Sequence, residues 1–495
     1  MERKTKKARL IYEDIEKTLN KEQHDVLQKL INRENIFLTG NAGTGKSYII
    51  KAYDIWCQAY GRKLLKTAPT GVAAIEIGGV TLHTQFKLKT GVDFSYPKEI
   101  SPELLIADCL LIDEISMVRI DVFDRLMKMI GLANKSRETP IQLVFVGDFF
   151  QLPPVIPKEE KTLLNDFYEA DIGDGYCFQS RFWALNNIQF CNLTTVVRQG
   201  NQDFCTALDL CKKGDTRCIK YIKENTATNE IDNAIWVCGR NSTAKKKNEE
   251  ALENLHTQAY CSTAEYEGQV TPKDNLCEEE FIFKIGARVV MTVNDTENFL
   301  YQNGSLGTVK DVQLNKIYVQ LDNGNFVDIG RKSFQKYEYH KAIKVAGEDI
   351  EKRKIGEVRQ YPMRLGYAIT IHKSQGQTYD KMNLAPEIFS NGQLYVALSR
   401  CKSIENVFIS GYISKRMVMT SSDVLAFYNS PQKYNYFENS KSELSTNDGD
   451  IITRLRTLAS NQTESDNRLV IMSVKAKYVD AIKELLKQIE QETEE

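Results

Sequence analysis

The sequence predicts an α/β protein whose first part is built on a parallel β-sheet. Three observations support this fold class. A glycine-rich loop at residues 40–47 lies between a short apolar run and a helix-like run. A second apolar run, residues 110–112, ends in two adjacent acids. Strand-like and helix-like runs alternate to about residue 190, which is typical of parallel strands joined by crossover helices.

The composition is that of a multidomain protein with ordinary cores. The chain has 495 residues, of which 42% are hydrophobic, and a formal net charge of −1. Such a length predicts about three domains. The charge excludes an overall basic protein, so a nucleic-acid partner would be bound by local patches.

Cysteine usage and the lack of targeting segments predict where the protein resides. The eleven cysteines form no Cys-x-x-Cys and have no zinc spacing. There is also no signal peptide and no apolar run of membrane length. We therefore expect a reduced, cytoplasmic protein without a membrane partner, which would lie at the nucleoid in a bacterium.

The glycine-rich loop matches the phosphate-binding pattern G-x-x-x-x-G-K-[ST] at every position. Its residues are Gly40, Asn41, Ala42, Gly43, Thr44, Gly45, Lys46 and Ser47. Backbone N–H groups and the start of the following helix attract polyphosphate. Lys46 would contact the β- and γ-phosphates, and the Ser47 hydroxyl would hold Mg²⁺. A strand before the loop and a helix after it disfavour the alternative, a chance glycine-rich turn.

Acidic and amide side chains follow two further predicted strands. Asp113 is expected to hold Mg²⁺ through water, and Glu114 to orient and deprotonate the attacking water. A strand end that meets solvent is the structural alternative for this acidic pair. Gln151 follows the strand at 143–146, where a neutral amide can sense the γ-phosphate or position water.

Other polar residues in the first 190 positions are candidates for ligand contacts. Gln23 precedes the phosphate loop and carries the donor and the acceptor needed to read an adenine edge. Thr70, Thr81 and His83 lie in loops near the ends of predicted strands, where parallel sheets place ligand contacts. They can reach a phosphodiester backbone, and capping or turn roles are the alternative. The basic residues 1–10 are either a disordered terminus or a phosphate-contacting arm.

Two arginines of the second half are candidates for charge neutralisation at the γ-phosphate. Arg198 lies just beyond the first sheet, and Arg400 ends the run Gln-Leu-Tyr-Val-Ala-Leu-Ser-Arg. An arginine from a second domain can stabilise the charge that develops during phosphoryl transfer. A surface ion pair is the commoner role for either arginine alone.

The second half also contains a β-rich insertion and a polar tail. Alternation in 317–321 and 326–329 around an Asn-Gly turn predicts a hairpin in an antiparallel barrel of about 50 residues. Residues 361–378 are predicted to form a helical element. Residues 438–468 are predicted to be a linker, and apolar residues at 478–489 a helix that docks on the body or on a partner.

Eight motifs occur in a fixed order: GNAGTGKS, APTGVAA, GGVTLHT, LLIDEISM, VFVGDFFQLPPV, VVRQ, AITIHKSQGQT and QLYVALSRC. Together they resemble the motifs of the Pif-one helicases, in the RecD-like B branch of helicase superfamily one. The resemblance covers residues from about 15 to 425 and is greatest to compact bacterial members. GDFFQLPPV and TIHKSQGQT are highly specific to this group.

The resemblance implies an ATP-driven motor that moves 5′ to 3′ along single-stranded DNA and unwinds duplex, with ATP and Mg²⁺ as cofactors. It implies single-stranded and forked DNA as partners, G-quadruplex DNA at family level, and a monomeric motor. Roles in DNA replication, recombination and repair are likewise family-level expectations. Eukaryotic members carry a signature that ends in Pro-Phe-Gly-Gly. Residues 137–142 lack the Phe-Gly-Gly, which puts the carry-over of telomeric and mitochondrial roles in doubt and leaves telomere maintenance as a family-level expectation.

The implied fold is two RecA-like parallel-sheet domains in tandem, with a small wedge insertion and an SH3-like β-barrel insertion. A basic arm is expected at 1–14. The first RecA-like domain is expected at 15–190, with its wedge at about 86–104, and the second at 191–300 with 358–428. The barrel is expected at 301–357, and the linker with the C-terminal amphipathic helix at 429–495.

The motifs also imply residue roles. Gln23 matches the adenine-reading glutamine, and Gln151 the γ-phosphate sensor. Arg198 and Arg400 match two arginines contributed by the second domain, and Gly376 is expected at the nucleotide. The segments implied to track the DNA strand contain Pro69, Thr70, Gly71, Thr81, His83, His372 and Lys373.

Other functions remain open from the sequence. An ATP-driven single-stranded DNA translocase that remodels protein–DNA complexes would not separate strands, so a strand-displacement assay distinguishes it. An RNA-directed or nuclease-coupled motor is disfavoured because the tail has no nuclease-like acid cluster. A small-molecule kinase is disfavoured by the second half and its two arginines.

Overall fold

Two parallel and three antiparallel β-sheets make up the fold of the computed structural model. The structure describes residues 2–431 except 42, 89–90, 95–96, 98–99, 136, 196–200, 272–276, 294, 296–299, 302 and 343–348. The predicted linker and C-terminal helix lie outside these residues. Within the described ranges, no helix is both long and apolar enough to cross a bilayer.

A six-stranded parallel sheet with its helices occupies residues up to 193. Its elements are α1 (Glu2–Glu16), α2 (Lys21–Ile31), β1 (Ile36–Gly40), α3 (Lys46–Tyr60), β2 (Leu64–Ala68), α4 (Gly71–Glu76), β3 (Val80–Thr81), α5 (Leu82–Gln85), α6 (Pro102–Ile106), β4 (Cys109–Ile112), α7 (Ile120–Asn134), β5 (Gln142–Val146), α8 (Lys158–Tyr168), α9 (Arg181–Leu185) and β6 (Gln189–Leu193). The strand order is β3-β2-β4-β5-β1-β6. Every residue of β1, β4 and β5 is buried, as expected for a sheet covered on both faces.

The second region contains a four-stranded parallel sheet and the antiparallel sheets. Its elements are α10 (Gln202–Lys212), α11 (Cys218–Asn225), β7 (Ile235–Cys238), α12 (Asn241–Glu253), β8 (Ala259–Thr263), β9 (Glu265–Gly268), β10 (Glu280–Lys284), β11 (Arg288–Met291), β12 (Leu306–Gln313), β13 (Lys316–Leu321), β14 (Phe326–Gly330), β15 (Lys332–Ala342), β16 (Asp349–Gln360), β17 (Met363–Leu365), β18 (Ala368–Thr370), β19 (Met382–Ala385), α13 (Gln393–Leu398), β20 (Val407–Ile409) and α14 (Ser422–Asn429). Strands β18, β7, β19 and β20 are parallel neighbours in that order. The predicted α/β class with two parallel-sheet regions in tandem is confirmed.

The antiparallel sheets interrupt the second parallel sheet between β7 and β18. The predicted hairpin is present, with Val319 of β13 opposite Val327 of β14. One sheet has the order β14-β13-β12-β11-β17, and a second has the order β15-β16-β9. These antiparallel sheets therefore include strands outside the expected barrel range of residues 301–357. Strands β9 and β11 precede that range in the sequence, and β17 follows it.

The prediction of a helical element at 361–378 was wrong. This segment contains β17 and β18, followed by turns. Ile369 of β18 pairs with Val237 of β7, and all three residues of β18 are buried. A short apolar run that is buried on both faces has no periodicity to distinguish a strand from a helix.

Residues Glu2–Glu16 form helix α1, so of the two alternatives for the basic segment the disordered terminus was wrong, and the phosphate-contacting arm stays a prediction. Tyr12 is buried in a cluster with residues of α2 and α3. The Arg9 guanidinium lies 5.2 Å from the centre of the Tyr60 ring at the end of α3. Apolar and cation–π contacts thus attach α1 to the first sheet region, and the expected limit at residue 14 falls inside this helix.

Helix α14 returns from the second region to the core of the first. The ring of Phe427 is fully buried. Its centroid lies 4.4 Å from that of Phe178, 5.5 Å from Phe149 and 5.9 Å from Trp183. The aromatic core beneath the first sheet is therefore completed by a residue that follows the last strand of the second.

We predict that Phe427→Ala lowers the free energy of unfolding by about 3–5 kcal/mol, because it leaves a cavity among packed rings. Denaturant titration followed by tryptophan fluorescence measures this loss. The matched control is Phe326→Ala on β14, whose side chain is 65% exposed; its cost should stay within about 0.5 kcal/mol. Equal costs for the two variants would contradict the packing described here.

Candidate nucleotide-binding site

The phosphate loop joins β1 to α3 and is attached to α2 through Gln23. The Gln23 side chain is buried; its Nε2 donates to the Thr44 carbonyl at 3.1 Å, and its Oε1 accepts from the Asn20 N–H at 3.1 Å. Gly45 has a φ of 91°, and a Cβ there would clash with the Gln23 amide. The residue predicted to read adenine therefore also fixes the loop against α2 in this conformation.

The Lys46 side chain is hydrogen-bonded to the backbone of its own loop. Its Nζ donates to the carbonyls of Gly40, at 2.8 Å, and Asn41, at 3.2 Å. Burial lowers the pKa of Lys46, and nearby carboxylates oppose this effect. Ser47 is exposed at the first turn of α3, whereas Ala42 lies outside the described residues. Lys46 would have to exchange its two carbonyls for phosphate oxygens to act as predicted.

Asp113 and Glu114 follow β4 directly at the edge where the loop lies. The Glu114 N–H donates to Asp113 Oδ1 at 2.9 Å. Burial and the neighbouring Glu114 raise the pKa of Asp113 to about 7, and burial raises the pKa of Glu114. Glu114 has a φ of 49°, which is uncommon for a residue other than glycine and often accompanies a functional site.

A third acid, Glu76 at the end of α4, belongs to the same site and was not predicted. Burial raises its pKa to about 7; Glu114 adds to the increase and Arg400 opposes it. A Cβ on Gly376 would lie 3.3 Å from Glu76 Oε2, so the predicted nucleotide residue Gly376 is close to this carboxylate. No sequence signal marks Glu76, because an isolated acid in a short helix is usually a surface residue.

The three acids leave this site with an excess of negative charge that a divalent cation would relieve. Across the described ranges, no group of three or more His, Cys, Asp or Glu side chains is arranged to hold a metal by itself. Asp113 at the end of β4 and Ser47 at the start of α3 offer oxygen donors of the kind that Mg²⁺ takes; in proteins this ion is usually bound by one or two carboxylates together with phosphate oxygens and water. The site thus fits magnesium bound with a nucleotide.

Gln375 connects the second region to the predicted catalytic residues of the first. Its Nε2 donates to Glu114 Oε2 at 3.1 Å and lies 3.3 Å from Gln151 Oε1. Its own Oε1 is buried and has no hydrogen-bond partner among the described residues. Gln375 was not predicted, although it precedes Gly376 in the motif AITIHKSQGQT.

Asp148, which follows β5, is hydrogen-bonded to both helices α13 and α14. Tyr395 of α13 donates to Asp148 Oδ2 at 3.2 Å, and Tyr428 of α14 donates to Asp148 Oδ1 at 3.3 Å. The Tyr428 hydroxyl is also 2.8 Å from Thr39 Oγ1, one residue before the phosphate loop. These three side chains were not predicted, because the contacts depend on how the two regions pack.

Arg400 lies at the site but is hydrogen-bonded to its own surroundings. The side chain is buried, with Nε 3.0 Å from the Val396 carbonyl and Nη1 3.2 Å from the Gln377 carbonyl. The positive charge of Arg400 is close enough to oppose the rise that burial causes in the pKa values of Glu114 and Glu76. Arg198, the other predicted arginine, lies outside the described residues.

The residues predicted to track DNA have local roles in this conformation. Thr70 Oγ1 accepts from the Ala73 N–H, and Thr81 Oγ1 from the Thr84 N–H, each at 3.3 Å. These are the capping roles given above as the alternative. Pro69 and Gly71 flank Thr70 at the start of α4, and Lys373 is exposed beside His372. Burial lowers the pKa of both His83 and His372, so these side chains offer hydrogen bonds rather than charge at neutral pH.

Comparison with known proteins identifies the family. The family model described as PIF1-like helicase matches residues 18–213. The chain is 30% identical over 462 residues to the ATP-dependent DNA helicase Pif1 of Campylobacter jejuni, covering 84% of this chain and 98% of that protein. It is also similar to Bacteroides sp. Pif1 in complex with ADP-AlF4, with a TM-score of 0.70, 31% identity and coverage of 83% of this chain and 96% of that one. Bacteroides Pif1 bound to single-stranded DNA matches with a TM-score of 0.63, 31% identity and the same coverage.

We predict that Asp113→Asn stabilises the ligand-free protein at pH 8 by about 1–2 kcal/mol, because it removes a charge from the acid cluster while keeping an acceptor for the Glu114 N–H. The raised pKa means that the folded protein keeps a proton that the unfolded chain has released. The stability contributed by this carboxyl is therefore complete below about pH 4 and is lost as the pH rises through about 7.

Asp113→Asn should accordingly raise the free energy of unfolding by less at pH 5 than at pH 8. Denaturant titrations without metal or nucleotide measure both values. Asp14→Asn, at a side chain that is 81% exposed, is the control and should change little at either pH. A loss of stability at pH 8 in Asp113→Asn would show that the carboxylate is not under electrostatic strain.

Proposed function

The chain belongs to the PIF1-like helicase family and is an enzyme of the helicase and ATPase class; on this premise we propose that it is a motor that moves 5′ to 3′ on single-stranded DNA and unwinds duplex. The observation that carries the proposal is the contact of Gln375 with Glu114 and Gln151. It joins the second parallel-sheet region to the hydrolytic residues of the first. Two such regions that share one nucleotide are the arrangement a stepping motor requires.

The nucleotide is held by the phosphate loop, with Lys46 on its phosphates and Gln23 on adenine. Glu114 orients and deprotonates the attacking water, and Gln151 senses the γ-phosphate. When bound, Mg²⁺ neutralises charge on the phosphate oxygens; Ser47 and Asp113 are the residues that would hold it. Asp113 would act as a carboxylate ligand of the metal, whereas Glu114 takes up the proton of the attacking water.

Arg400 and Arg198 stabilise the charge that develops on the γ-phosphate. In the conformation described, Arg400 donates to the carbonyls of Val396 and Gln377. It must leave these acceptors for an anionic one, and a charge-assisted hydrogen bond favours that exchange. Closure of the cleft is thereby favoured while the γ-phosphate is present and disfavoured after its release.

DNA is bound next to the nucleotide site. His372 and Lys373 stand within four residues of Gln375 and Gly376, so contact with a DNA phosphate at this turn can change the contact of Gln375 with Glu114. Pro69, Thr70, Gly71, Thr81 and His83 form the corresponding surface of the first region. Binding through such contacts is largely independent of the DNA sequence, and its affinity falls as the salt concentration rises.

The preferred partners are single-stranded and forked DNA, with G-quadruplex DNA as a further substrate. A related Bacteroides Pif1 has been solved bound to single-stranded DNA, and another related structure concerns DNA unwinding at forked double-stranded DNA by two coordinating Pif1 helicases. We take one chain as the motor unit, with two RecA-like domains at 15–190 and at 191–300 with 358–428. The antiparallel sheets and the segment at 86–104 are the insertions, and the tail beyond 428 is available for a partner.

Strand displacement on duplexes with either a 5′ or a 3′ single-stranded tail tests the proposal. We predict that ATP and Mg²⁺ support unwinding of the 5′-tailed duplex alone. Lys46→Ala should abolish both unwinding and ATP hydrolysis with an unchanged melting temperature, because the lysine that contacts the phosphates is lost. Unwinding of the 3′-tailed duplex alone would refute the polarity. ATPase stimulated by DNA without unwinding of either duplex would instead favour a translocase that remodels protein–DNA complexes.

Arg400→Ala is predicted to leave ATP affinity nearly unchanged and to lower kcat by roughly a thousandfold, the scale seen when an arginine finger is removed. Steady-state ATPase rates with saturating single-stranded DNA measure this. Arg416→Ala, at an exposed arginine of the same region, is the matched control and should keep wild-type rates. A normal kcat in a folded Arg400→Ala protein would exclude the assigned role.

A further inference from the structure

Lys212, the last residue of α10, reaches the phosphate loop from the second region. Its Nζ donates a hydrogen bond to Asn41 Oδ1 and pairs with Asp209 of its own helix at 3.0 Å. Only 13% of its side chain is exposed. The contact therefore spans the boundary between the two parallel-sheet regions from a partly desolvated position, where charge-assisted hydrogen bonds are stronger than at the surface.

The Lys212 side chain is held in place by several neighbours. Thr420 Oγ1 donates to the Lys212 carbonyl at 2.6 Å, at the C-terminal end of α10. The ammonium lies 5.3 Å from the centre of the Phe150 ring, and Phe150 is the residue before Gln151. These contacts aim the cation at the loop and limit the entropy lost when it binds there.

Asn41 organises the first turn of the phosphate loop. Its carbonyl accepts from Lys46 Nζ at 3.2 Å and from Thr44 Oγ1 at 2.9 Å, while its side chain accepts from Lys212. Asn41 thus receives one lysine from the loop itself and one from the second region. A change in the Lys212 contact would alter the backbone that cradles the phosphates.

We propose that Lys212 is a positioning residue for ATP hydrolysis: acting through Asn41, it holds the phosphate loop in its binding shape from the second region. The proposal rests on the ATPase proposed above and extends it by a residue that no motif assigns. Because the loop binds the phosphates common to ATP and ADP, Lys212 affects both nucleotides. Arg400, in contrast, acts on the γ-phosphate alone.

The test compares Lys212→Met with Lys213→Met by steady-state ATPase kinetics with single-stranded DNA. Lys213 is the neighbouring lysine, also pairs with Asp209, at 2.6 Å, and is 52% exposed. Lys212→Met should raise the KM for ATP and the Ki of ADP about tenfold each, the usual scale for a lost charge-assisted hydrogen bond, with kcat changed less than threefold. Lys213→Met should change all three less than twofold, and Lys212→Arg should restore most of the affinity.

A double-mutant cycle with Asn41→Ala tests the route of the effect. Because Lys212 acts through Asn41, the double variant should resemble the single variants rather than multiply their effects. Multiplicative effects, or a raised KM for ATP with an unchanged Ki of ADP, would show a direct contact with phosphate and overturn the proposal. Equal behaviour of Lys212→Met and Lys213→Met would overturn it as well. A wild-type chain without DNA-stimulated ATPase would instead refute the function on which it rests.

Discussion

The balance of charge at the ends of β1 and β4 governs the organisation of this protein. Three acids with raised pKa values share the site with the ammonium of Lys46. Without a ligand, the lysine is engaged by two backbone carbonyls of its own loop. In this conformation the Lys46 ammonium is therefore hydrogen-bonded within its own loop, while the three acids lie near one another with raised pKa values. In the proposed function, a nucleotide bound with a divalent cation would supply a partner for the lysine and for the acids at once.

The same balance explains why the two parallel sheets are linked by side chains at this edge. Gln375 from the second region holds Glu114, while Tyr395 and Tyr428 hold Asp148. Each of these three contacts ends on a carboxylate of the first region, and each of the three donors is neutral. Neutral donors satisfy the oxygen atoms without cancelling their charge, so the site remains selective for a cation. Through these contacts, the proposed motor would make the nucleotide state and the relative position of the sheets depend on one another.

The sequence allowed prediction of those parts of the fold that local chemistry determines. The loop from Gly40 to Ser47 and the hairpin at 317–329 follow from residue types at fixed spacing, and the resemblance supplied the two-sheet architecture. The run at 361–378 was mispredicted, because burial on both faces removes the periodic signal from a short strand. Gln375 and Lys212 were missed for another reason: their partners lie 261 and 171 positions away in the sequence. Pairings at such separations depend on packing that no local pattern encodes.

The position of Phe427 has a consequence for how the chain acquires its structure during synthesis. The ribosome releases the chain from its N-terminus, and domains generally fold as units in that order. Here the aromatic core beneath the first sheet lacks one of its central rings until residue 427 has emerged. The nascent first half must therefore wait, with Phe149, Phe178 and Trp183 incompletely covered, while the whole second region is made. Closure of the first core is consequently a late event that follows synthesis of the second region.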